Sequence, residues 1–506
     1  MTTTFHSTRS TTDALTSRQA IRQGLASDGG LFVSDELDET KVDVAQLVGE
    51  PYQAIARRVL GVLLPDFTVA ELDECVGAAY GPQWLDPAIT PLKPLGDDYI
   101  LELFNGPTSA FKDVALQILP QFMARTTAST AISTGASDGK SSGKEKVMVL
   151  TATSGDTGKA ALAGFADTEG TGITVFYPEG KVSEIQRLQM TTQVGSNVNV
   201  CAVKGNFDDA QSAVKAIFGD KGLAKKLEDG NHVTLSSANS INVGRLVPQV
   251  VYYFSAYAQL VERGAIKVGD PVEFVVPTGN FGDILAGYYA KRLGLPVGRL
   301  TVASDRNNVL FDFLTTGTYN RERPFFETTS PSMDILVSSN LERMLYYFSD
   351  GDTELISSLM DDLQTKGSFT IPASLLDRIR TLFSCGWADE DEVSQAIADC
   401  WNDNHYVIDP HTACGYHVLG QTARKEAMPR VLLSTASPYK FPRVVGEALG
   451  LDTSGSDFAC MDRLASATAT TAPKNLRGLE NAAERFTDVI AIDRMRDYVG
   501  DASRRL

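Results

Sequence analysis

Apolar residues recur along this chain in two different patterns, and the change between them falls near residue 95. Before it, two apolar stripes with helical spacing predict helices, one over 54–63 and one over 72–79. From Tyr99 onward, short apolar runs alternate with helical patterns, which is typical of a parallel sheet covered on both faces. We therefore predict a mostly helical N-terminal domain over residues 1–95 and an α/β region over residues 96–506.

The short apolar runs of the second region are the candidate strands. They are Tyr99–Leu103, Val147–Ala152, Thr174–Tyr177, Val198–Val203, Val272–Pro277, Leu300–Ala303 and Val431–Thr435. Between the first two lies the stretch 126–146, which is rich in Ser, Thr, Gly, Ala and Lys. It has too few large apolar side chains to offset the entropy of ordering, so we predict a flexible surface insertion there.

Charge and composition exclude several classes of function. The chain has 506 residues, with 46 basic and 63 acidic side chains and a net charge of −17. An acidic surface argues against a nucleic-acid or anionic-membrane partner. No apolar run approaches the ~20 residues of a membrane span, and the first residues lack a signal-peptide pattern, so we predict a cytoplasmic protein. The 6 cysteines and 5 histidines show no metal-binding spacing, so we predict no metal site.

The first stretch with recognisable chemistry surrounds Lys112. A predicted strand ends near Leu103, Gly106-Pro107 form a turn, and a helix begins that we expect Thr108 or Ser109 to cap. Lys112 would then lie in the first turn of a buried helix, where desolvation favours the neutral amine. A neutral amine can condense with an aldehyde such as that of pyridoxal phosphate.

Three further stretches are suited to anions. Thr153–Gly158 follows a predicted strand and opens a helix, whose free N–H groups and dipole favour a carboxylate or phosphate. Thr278–Asp283 does the same after another strand, with two glycines that allow successive N–H groups to converge. Ser236–Arg245 combines small polar groups with one arginine, which suits a phosphate ester.

Two segments resemble the P-loop of nucleotide-binding enzymes. Gly135–Ser141 is one residue too short for that motif and follows no strand, and 153–159 lacks its first glycine. A P-loop enzyme is therefore a weaker alternative. A non-catalytic binding protein is another, although such a protein would be expected to have lost Lys112.

Taken together, these stretches resemble the threonine synthase family, which are pyridoxal-phosphate enzymes of the tryptophan-synthase β-like fold. The matching motifs are Asn105-Gly-Pro-Thr108, Ala110-Phe-Lys-Asp113, Thr151-Ala-Thr-Ser-Gly-Asp-Thr-Gly158, Asn239-Ser-Ile-Asn242, Gly279-Asn-Phe-Gly-Asp283 and Thr435-Ala-Ser-Pro438. Asp28-Gly-Gly-Leu31 and Asn475-Leu-Arg-Gly-Leu479 extend the match towards both termini. The resemblance implies an α/β protein of fold type II, with two open α/β lobes behind the N-terminal domain.

The resemblance also implies roles for individual residues. Lys112 would bind pyridoxal 5'-phosphate as a Schiff base and act as the catalytic base, and Thr435 would contact the pyridine nitrogen. The cofactor phosphate would be held by Gly279, Asn280, Phe281, Gly282 and Asp283. The substrate would be bound by Ser154, Gly155, Asp156, Thr157, Asn239, Ser240, Asn242 and Arg245. Asp156 stands where related enzymes often have Asn, which leaves its contact with the 3'-oxygen of the cofactor open.

The reaction implied by the resemblance is γ-elimination of phosphate from O-phospho-L-homoserine, followed by addition of water at Cβ to give L-threonine. A serine or threonine dehydratase of the same fold is the alternative, because the fold alone permits either reaction. The sequence leaves open whether the protein is a monomer or a dimer.

Overall fold

A computed structural model of the protein describes residues 4–133, 146–153, 155–422 and 428–506. Its N-terminal region contains a small antiparallel sheet in the order β2-β1-β3 and three helices. These elements are β1 Phe5–Ser7, β2 Ser10–Leu15, α1 Ser17–Gln23, β3 Phe32–Val33, α2 Tyr52–Leu63 and α3 Val69–Ala79. Their apolar side chains join the same core cluster as those of the larger sheets. The predicted domain boundary at residue 95 stays a prediction.

The next segment of the chain begins with two strands of the larger sheet, β4 Leu92–Leu95 and β5 Asp98–Glu102, and then forms one lobe around a parallel sheet of its own. Its further elements are α4 Lys112–Leu116, α5 Leu119–Ser133, β6 Lys146–Ala152, α6 Asp156–Phe165, β7 Thr171–Pro178, α7 Glu184–Thr191, β8 Val198–Lys204, α8 Phe207–Gly219, α9 Lys221–Asn231, β9 Val233–Ser237 and α10 Val243–Glu262. Strands β6 to β9 lie in the order β8-β7-β6-β9, and every pairing among them is parallel.

The remaining elements complete a second lobe and return to the first. They are β10 Val272–Pro277, α11 Gly282–Arg292, β11 Val297–Ser304, α12 Val309–Thr316, β12 Thr318–Asn320, α13 Leu341–Phe348, α14 Thr353–Lys366, β13 Ser368–Thr370, α15 Ala373–Arg380, β14 Phe383–Trp387, α16 Glu390–Asn404, α17 Pro410–Gln421, β15 Arg430–Ser434, α18 Pro442–Ala448, α19 Asp457–Thr468, α20 Lys474–Arg477, β16 Val489–Ala491 and α21 Met495–Ser503. The larger sheet has the order β14-β11-β10-β15-β5-β4, while β16 joins the first lobe beside β8.

The predicted α/β fold with two open lobes is confirmed. Each predicted strand is present, although most begin or end a few residues away from the predicted bounds. Strand β4 was not predicted because it contains Pro94, which is tolerated here because β4 lies at the edge of its sheet. Strand β14 was not predicted because Ser384 and Gly386 interrupt its apolar pattern. In the described ranges, no helix is long and apolar enough to cross a membrane.

The prediction of a flexible insertion over 126–146 was wrong at both ends. Helix α5 continues to Ser133, and strand β6 already begins at Lys146. Alanine has a high helix propensity and the other residues of this stretch are compatible with a helix, so α5 continues into a stretch with few large apolar side chains. The rest of the stretch, and with it the P-loop-like segment Gly135–Ser141, lies outside the described residues.

Helix α10 holds the lobes and the N-terminal region together. Nearly all of its side chains are buried, and it packs against α2, α4 and α11. A helix that is apolar on all sides is expected at the centre of a large core. Asn242 caps its N-terminus by accepting a hydrogen bond from the N–H of Gly244. The Nδ2 of Asn242 donates to the carbonyl of Ile21 at 3.0 Å, which links the helix start to the N-terminal region.

The close crossing of α4 and α6 gives a testable prediction. A Cβ atom at Gly164 would lie 1.8 Å from the carbonyl oxygen of Leu116, so Gly164→Ala must push the two helices apart. We expect a loss of about 1–3 kcal/mol in the free energy of unfolding, as for other overpacked cores. Chemical denaturation measures it.

Gly77→Ala is the matched control. Gly77 lies on the exposed side of α3 and has no atom within 4 Å of its Cβ position. Alanine there should be neutral or stabilise by about 0.5–1 kcal/mol, because glycine lowers helix stability. Equal unfolding free energies for the two variants would contradict the steric interpretation of Gly164.

Candidate active site

A cavity of about 450 Å³ lies where the carboxyl ends of strands from both sheets meet. Residues that follow β6, β9, β10 and β15 line it, together with Lys112 at the start of α4. Open α/β sheets bind their ligands at this end of the strands. The volume falls in the range of cavities that hold small-molecule ligands and cofactors.

Backbone hydrogen bonds fix the position of Lys112. The N–H of Phe111 donates to the carbonyl of Thr435 at 2.7 Å, and the N–H of Ser437 donates to the carbonyl of Ser109 at 3.1 Å. The loop before α4 is thus fastened to the segment that follows β15. Ser109 adopts a left-handed conformation with φ of 58°, which this tight passage requires.

The expected helix cap at Thr108 or Ser109 was wrong. Phe111 occupies the N-cap position and makes no side-chain capping bond. The N–H and Oγ1 of Thr108 donate instead to the carboxylate of Asp113, at 2.8 and 2.7 Å. Burial raises the pKa of Asp113 to about 6, although these hydrogen bonds oppose the rise. Asn475 supports the same turn, since its Nδ2 donates to the carbonyl of Pro107 at 2.7 Å.

The amine of Lys112 is buried and unpaired among the described residues. Its Nζ lies 4.7 Å from the ring centre of Phe111. Burial lowers the pKa of Lys112 to about 8, and the charges of Arg245 and Lys440 act in the same direction, while Asp156 and Asp283 oppose them. A substantial fraction of the amine is therefore neutral near pH 8, which is the form that attacks an aldehyde.

The loop 278–283 has the geometry of an anion cradle. The carbonyl of Gly279 accepts from Ser338 Oγ at 2.7 Å, and the carbonyl of Asn280 accepts from the N–H of Asn340 at 3.1 Å. Phe281 adopts φ of 63° just before α11 begins. The carbonyls are thus engaged by another segment. The N–H of Ile284 donates to Asp283 Oδ1 at 2.9 Å, so the earlier N–H groups of the loop and of the first turn of α11 are those that remain for an anion. A Cβ at Gly279 would meet the carbonyl of Ser332 at 2.9 Å, which explains the need for glycine.

Asp156 opens α6 and points a carboxylate at the cavity. Its Oδ1 accepts from Lys440 Nζ at 2.6 Å and from Gln186 Nε2 at 3.0 Å, while its Oδ2 accepts from Ser332 Oγ at 3.3 Å. Burial would raise the pKa of this carboxyl, yet the ammonium groups of Lys440 and Lys112 hold the pKa well below its usual range. Asp156 is therefore a fixed negative charge in the cavity wall.

The turn that precedes α6 keeps few donors for an anion. Thr153 Oγ1 accepts from the N–H groups of Gly155 and Gly158, at 3.0 and 2.9 Å. The N–H groups of Asp156 and Thr157, in the first turn of the helix, have no intrahelical acceptor. These two donors lie at the positive end of the helix dipole, which suits a carboxylate.

Arg245 is a buried cation with an incomplete set of partners. Its side chain lies at the cavity wall, and the residue is 4% exposed. One nitrogen, Nη1, donates to the carbonyl of Ala238 at 3.1 Å, whereas Nε has no hydrogen-bond partner among the described residues. Burial lowers the pKa of Arg245 to about 10, so the guanidinium still carries its charge at neutral pH.

Thr435 and His411 also line the cavity. The N–H of Thr435 donates to Thr412 Oγ1 at 3.3 Å, and its side chain faces the cavity. His411 Nε2 accepts from the N–H of Ser332 at 3.1 Å, while its Nδ1 lies 2.6 Å from Asp409 Oδ2. Both ring nitrogens of His411 are therefore engaged, and the side chain holds this part of the wall in place.

Comparison with known proteins agrees with this geometry. The family model of pyridoxal-phosphate-dependent enzymes matches residues 90–433, and models of the threonine synthase N terminus and C-terminal region match residues 4–80 and 412–499. Threonine synthase from Pseudomonas aeruginosa is 38% identical over 450 residues, which cover 88% of this chain and 90% of that protein. The chain belongs to the threonine synthase family of pyridoxal-phosphate-dependent enzymes.

A solved structure and a human relative extend the comparison. The pyridoxal-phosphate-bound threonine synthase from Brucella melitensis superimposes with a TM-score of 0.86 at 36% identity, covering 99% of this chain and all (100%) of that one. Human threonine synthase-like 1 is 39% identical over 443 residues, or 85% of this chain. The match spans only 58% of the length of that human protein. The predicted cofactor, pyridoxal phosphate, is confirmed by the family.

The structure brings most of the predicted site residues of this family to one cavity. Those that line it are Lys112, Asp156, Thr157, Asn239, Ser240, Arg245, Gly279, Asn280, Gly282, Asp283 and Thr435. Gly155, Asn242 and Phe281 do not line it. Asn242 is buried as the cap of α10, and the ring of Phe281 packs against Phe383 at 5.6 Å in the core. Ser154 lies outside the described residues.

Three residues of the cavity region were not predicted from the sequence. Lys440 and Ser332 contact Asp156, and His411 positions Ser332. Lys440 stands only two residues after the motif Thr435-Ala-Ser-Pro438, so the buried-lysine reasoning used for Lys112 could have included it. Ser332 and His411 lie in segments with no motif, and only the fold brings them to the site.

The environment of Lys112 predicts its titration in the cofactor-free protein. Competitive acetylation across a pH series, with Lys112 followed by peptide mass spectrometry, should give a midpoint near pH 8. A lysine model peptide, with an ordinary value of about 10.4, is the reference amine. A midpoint equal to that of the peptide would show that the amine is solvated.

Proposed function

We propose that this protein is a threonine synthase that converts O-phospho-L-homoserine and water to L-threonine and inorganic phosphate. The observation that carries the proposal is a second place for an anion beside Lys112. The loop 278–283 would hold the phosphate of the cofactor, which leaves Arg245 as a buried cation whose Nε has no hydrogen-bond partner among the described residues. A phosphate ester is a substrate group that such a guanidinium can bind in bidentate fashion.

The residues present fit pyridoxal phosphate. Lys112 provides a buried amine with a lowered pKa, and the 278–283 loop provides a cradle in which Gly279 leaves no room for a side chain. Thr435 would lie towards the ring nitrogen. A hydroxyl at that position cannot keep the ring nitrogen protonated as a carboxylate would. The ring would therefore withdraw electrons less strongly than a protonated one. When bound, the cofactor supplies an electron sink for negative charge beside the substrate amine.

The chain itself would supply binding and proton transfer. Arg245 would hold the substrate phosphate and stabilise the charge that grows on it as the Cγ–O bond breaks. The N–H groups of Asp156 and Thr157 would hold the substrate carboxylate, and Lys440 would offset the charge of Asp156 nearby. Lys112 Nζ, once displaced by the substrate amine, would be a base that removes and returns protons at Cα and Cβ.

This arrangement favours phosphohomoserine over the substrates of dehydratases in the same fold. A serine-specific pocket would gain nothing from a desolvated arginine, since a buried charge without a partner is costly. The free-energy cost of burying the charge of Arg245 is offset if the substrate brings an anion to it. A serine or threonine dehydratase therefore remains the weaker alternative.

The substrate experiment tests the proposal directly. With the cofactor-loaded protein, O-phospho-L-homoserine should release phosphate and yield threonine in equal amounts, whereas homoserine should be nearly inert. Phosphate assay and amino-acid analysis measure the two products. Formation of 2-oxo acids from serine or threonine at a comparable rate would favour the dehydratase reading and contradict the proposal.

Replacing Arg245 tests the phosphate contact. Loss of a charge-assisted bidentate contact costs about 1.5–3 kcal/mol, so Arg245→Gln should lower kcat/KM for O-phospho-L-homoserine roughly tenfold to a hundredfold or somewhat more. Arg245→Lys keeps the charge without the bidentate geometry, so its kcat/KM should lie between that of the original protein and that of Arg245→Gln. The cofactor absorbance should stay unchanged in both variants. Loss of that absorbance with unaltered kcat/KM after reconstitution would place Arg245 in the cofactor site instead.

A further inference from the structure

Lys440 is the most deeply buried cation of the cavity region. It lies in the short helical turn after β15 and is 0% exposed. Its Nζ donates to Asp156 Oδ1 at 2.6 Å and to the carbonyl of Thr108 at 3.2 Å. An ammonium group at this depth is costly to desolvate and persists only with such partners.

The partners of Asp156 hold its carboxylate in place beside the cavity. Lys440 and Gln186 both bind Oδ1, and Ser332 binds Oδ2, so three different segments fix the group. Although Asp156 and Lys112 interact electrostatically, no direct hydrogen bond joins them in the described structure. The carboxylate of Asp156 is therefore paired with Lys440, and not with the amine of Lys112, which must remain reactive.

Several other charged groups surround this pair. Lys112 is influenced by Asp156, Arg245, Lys440 and Asp283, with the acids favouring its protonated form and the cations opposing it. Asp113 and Lys159 interact electrostatically with Lys440 and with each other, and His411 acts on Asp156. Within this set, only Lys440 forms an ion pair with Asp156.

We propose that Lys440 is a positioning residue that holds Asp156 as a fixed carboxylate and thereby keeps the Lys112 amine free to lose its proton and bind the cofactor aldehyde. Without Lys440, Asp156 would be a buried carboxylate on which Lys112 is the largest remaining cationic influence. The two would pair, the amine would stay protonated, and its reaction with an aldehyde would slow. The inference rests on the proposed role of Lys112.

Three variants test this coupling: Lys440→Met, Asp156→Asn and the double variant. In cofactor-free protein, the midpoint for acetylation of Lys112 should move up by about one pH unit or more in Lys440→Met. It should move down in Asp156→Asn, which removes the acid that favours protonation. The rate of pyridoxal phosphate uptake at pH 7.5, followed by absorbance, should fall about tenfold in Lys440→Met, since one pH unit is a tenfold change in free amine.

The double variant distinguishes positioning from a merely structural role. If Lys440 acts through Asp156, removing both charges should return the Lys112 midpoint and the uptake rate close to those of the original protein. A double variant as impaired as Lys440→Met would overturn the proposal. So would an unchanged midpoint in Asp156→Asn, a measurement that remains available even if Lys440→Met does not fold.

Lys159→Met is the matched control. Burial lowers the pKa of Lys159 to about 8 as well, but its Nζ contacts Gln193 and not Asp156. Its replacement should leave the Lys112 midpoint unchanged, and an equal rise would overturn a specific role for Lys440. Borohydride reduction of the cofactor-loaded protein with peptide mapping tests the underlying assignment separately. Label on a lysine other than Lys112 would refute the proposed function, whereas label on Lys112 with an unmoved midpoint in Lys440→Met would refute only this inference.

Discussion

The hydrogen bonds between the loop before α4 and the end of β15 decide where the reactive amine lies. Strands β5 and β15 are neighbours in the larger sheet, and the N–H of Leu103 donates to the carbonyl of Ser434 just beyond their pairing. The bond from Phe111 to Thr435 continues this contact to the residue before Lys112. The sheet therefore positions Lys112 directly, although the residue itself belongs to a short helix after an irregular loop.

Local charge, and not the charge of the whole protein, decides what the cavity binds. The chain carries −17, yet Lys112, Arg245 and Lys440 are all buried at or beside the cavity. Surface charges are screened by salt over about 8–10 Å, whereas buried groups are screened much less. An acidic protein can thus bind a phosphorylated substrate, provided that a few cations are desolvated and left with places for an anion.

The N-terminal region supports the site from a distance. The Nδ2 of Asn242 bonds to the carbonyl of Ile21, and the same side chain caps α10, whose third residue is Arg245. Asn242 belongs to a family motif, and the structure gives it a capping role that accounts for its presence without a substrate contact. The position of the guanidinium therefore depends on packing between α10 and a region that lines none of the cavity.

Local sequence patterns determined the elements and the chemistry of single residues: the alternating strands and helices, the buried lysine at a helix start, and the glycine turns at strand ends. These signals are local because backbone conformation and helix-terminal donors depend on a few neighbouring residues. Tertiary structure alone decided that Lys440 would neutralise Asp156, that Ser332 and His411 would join the wall, and that Asn242 would turn away. These pairings join residues from 79 to 284 positions apart, and no local pattern specifies which distant side chains share a buried space.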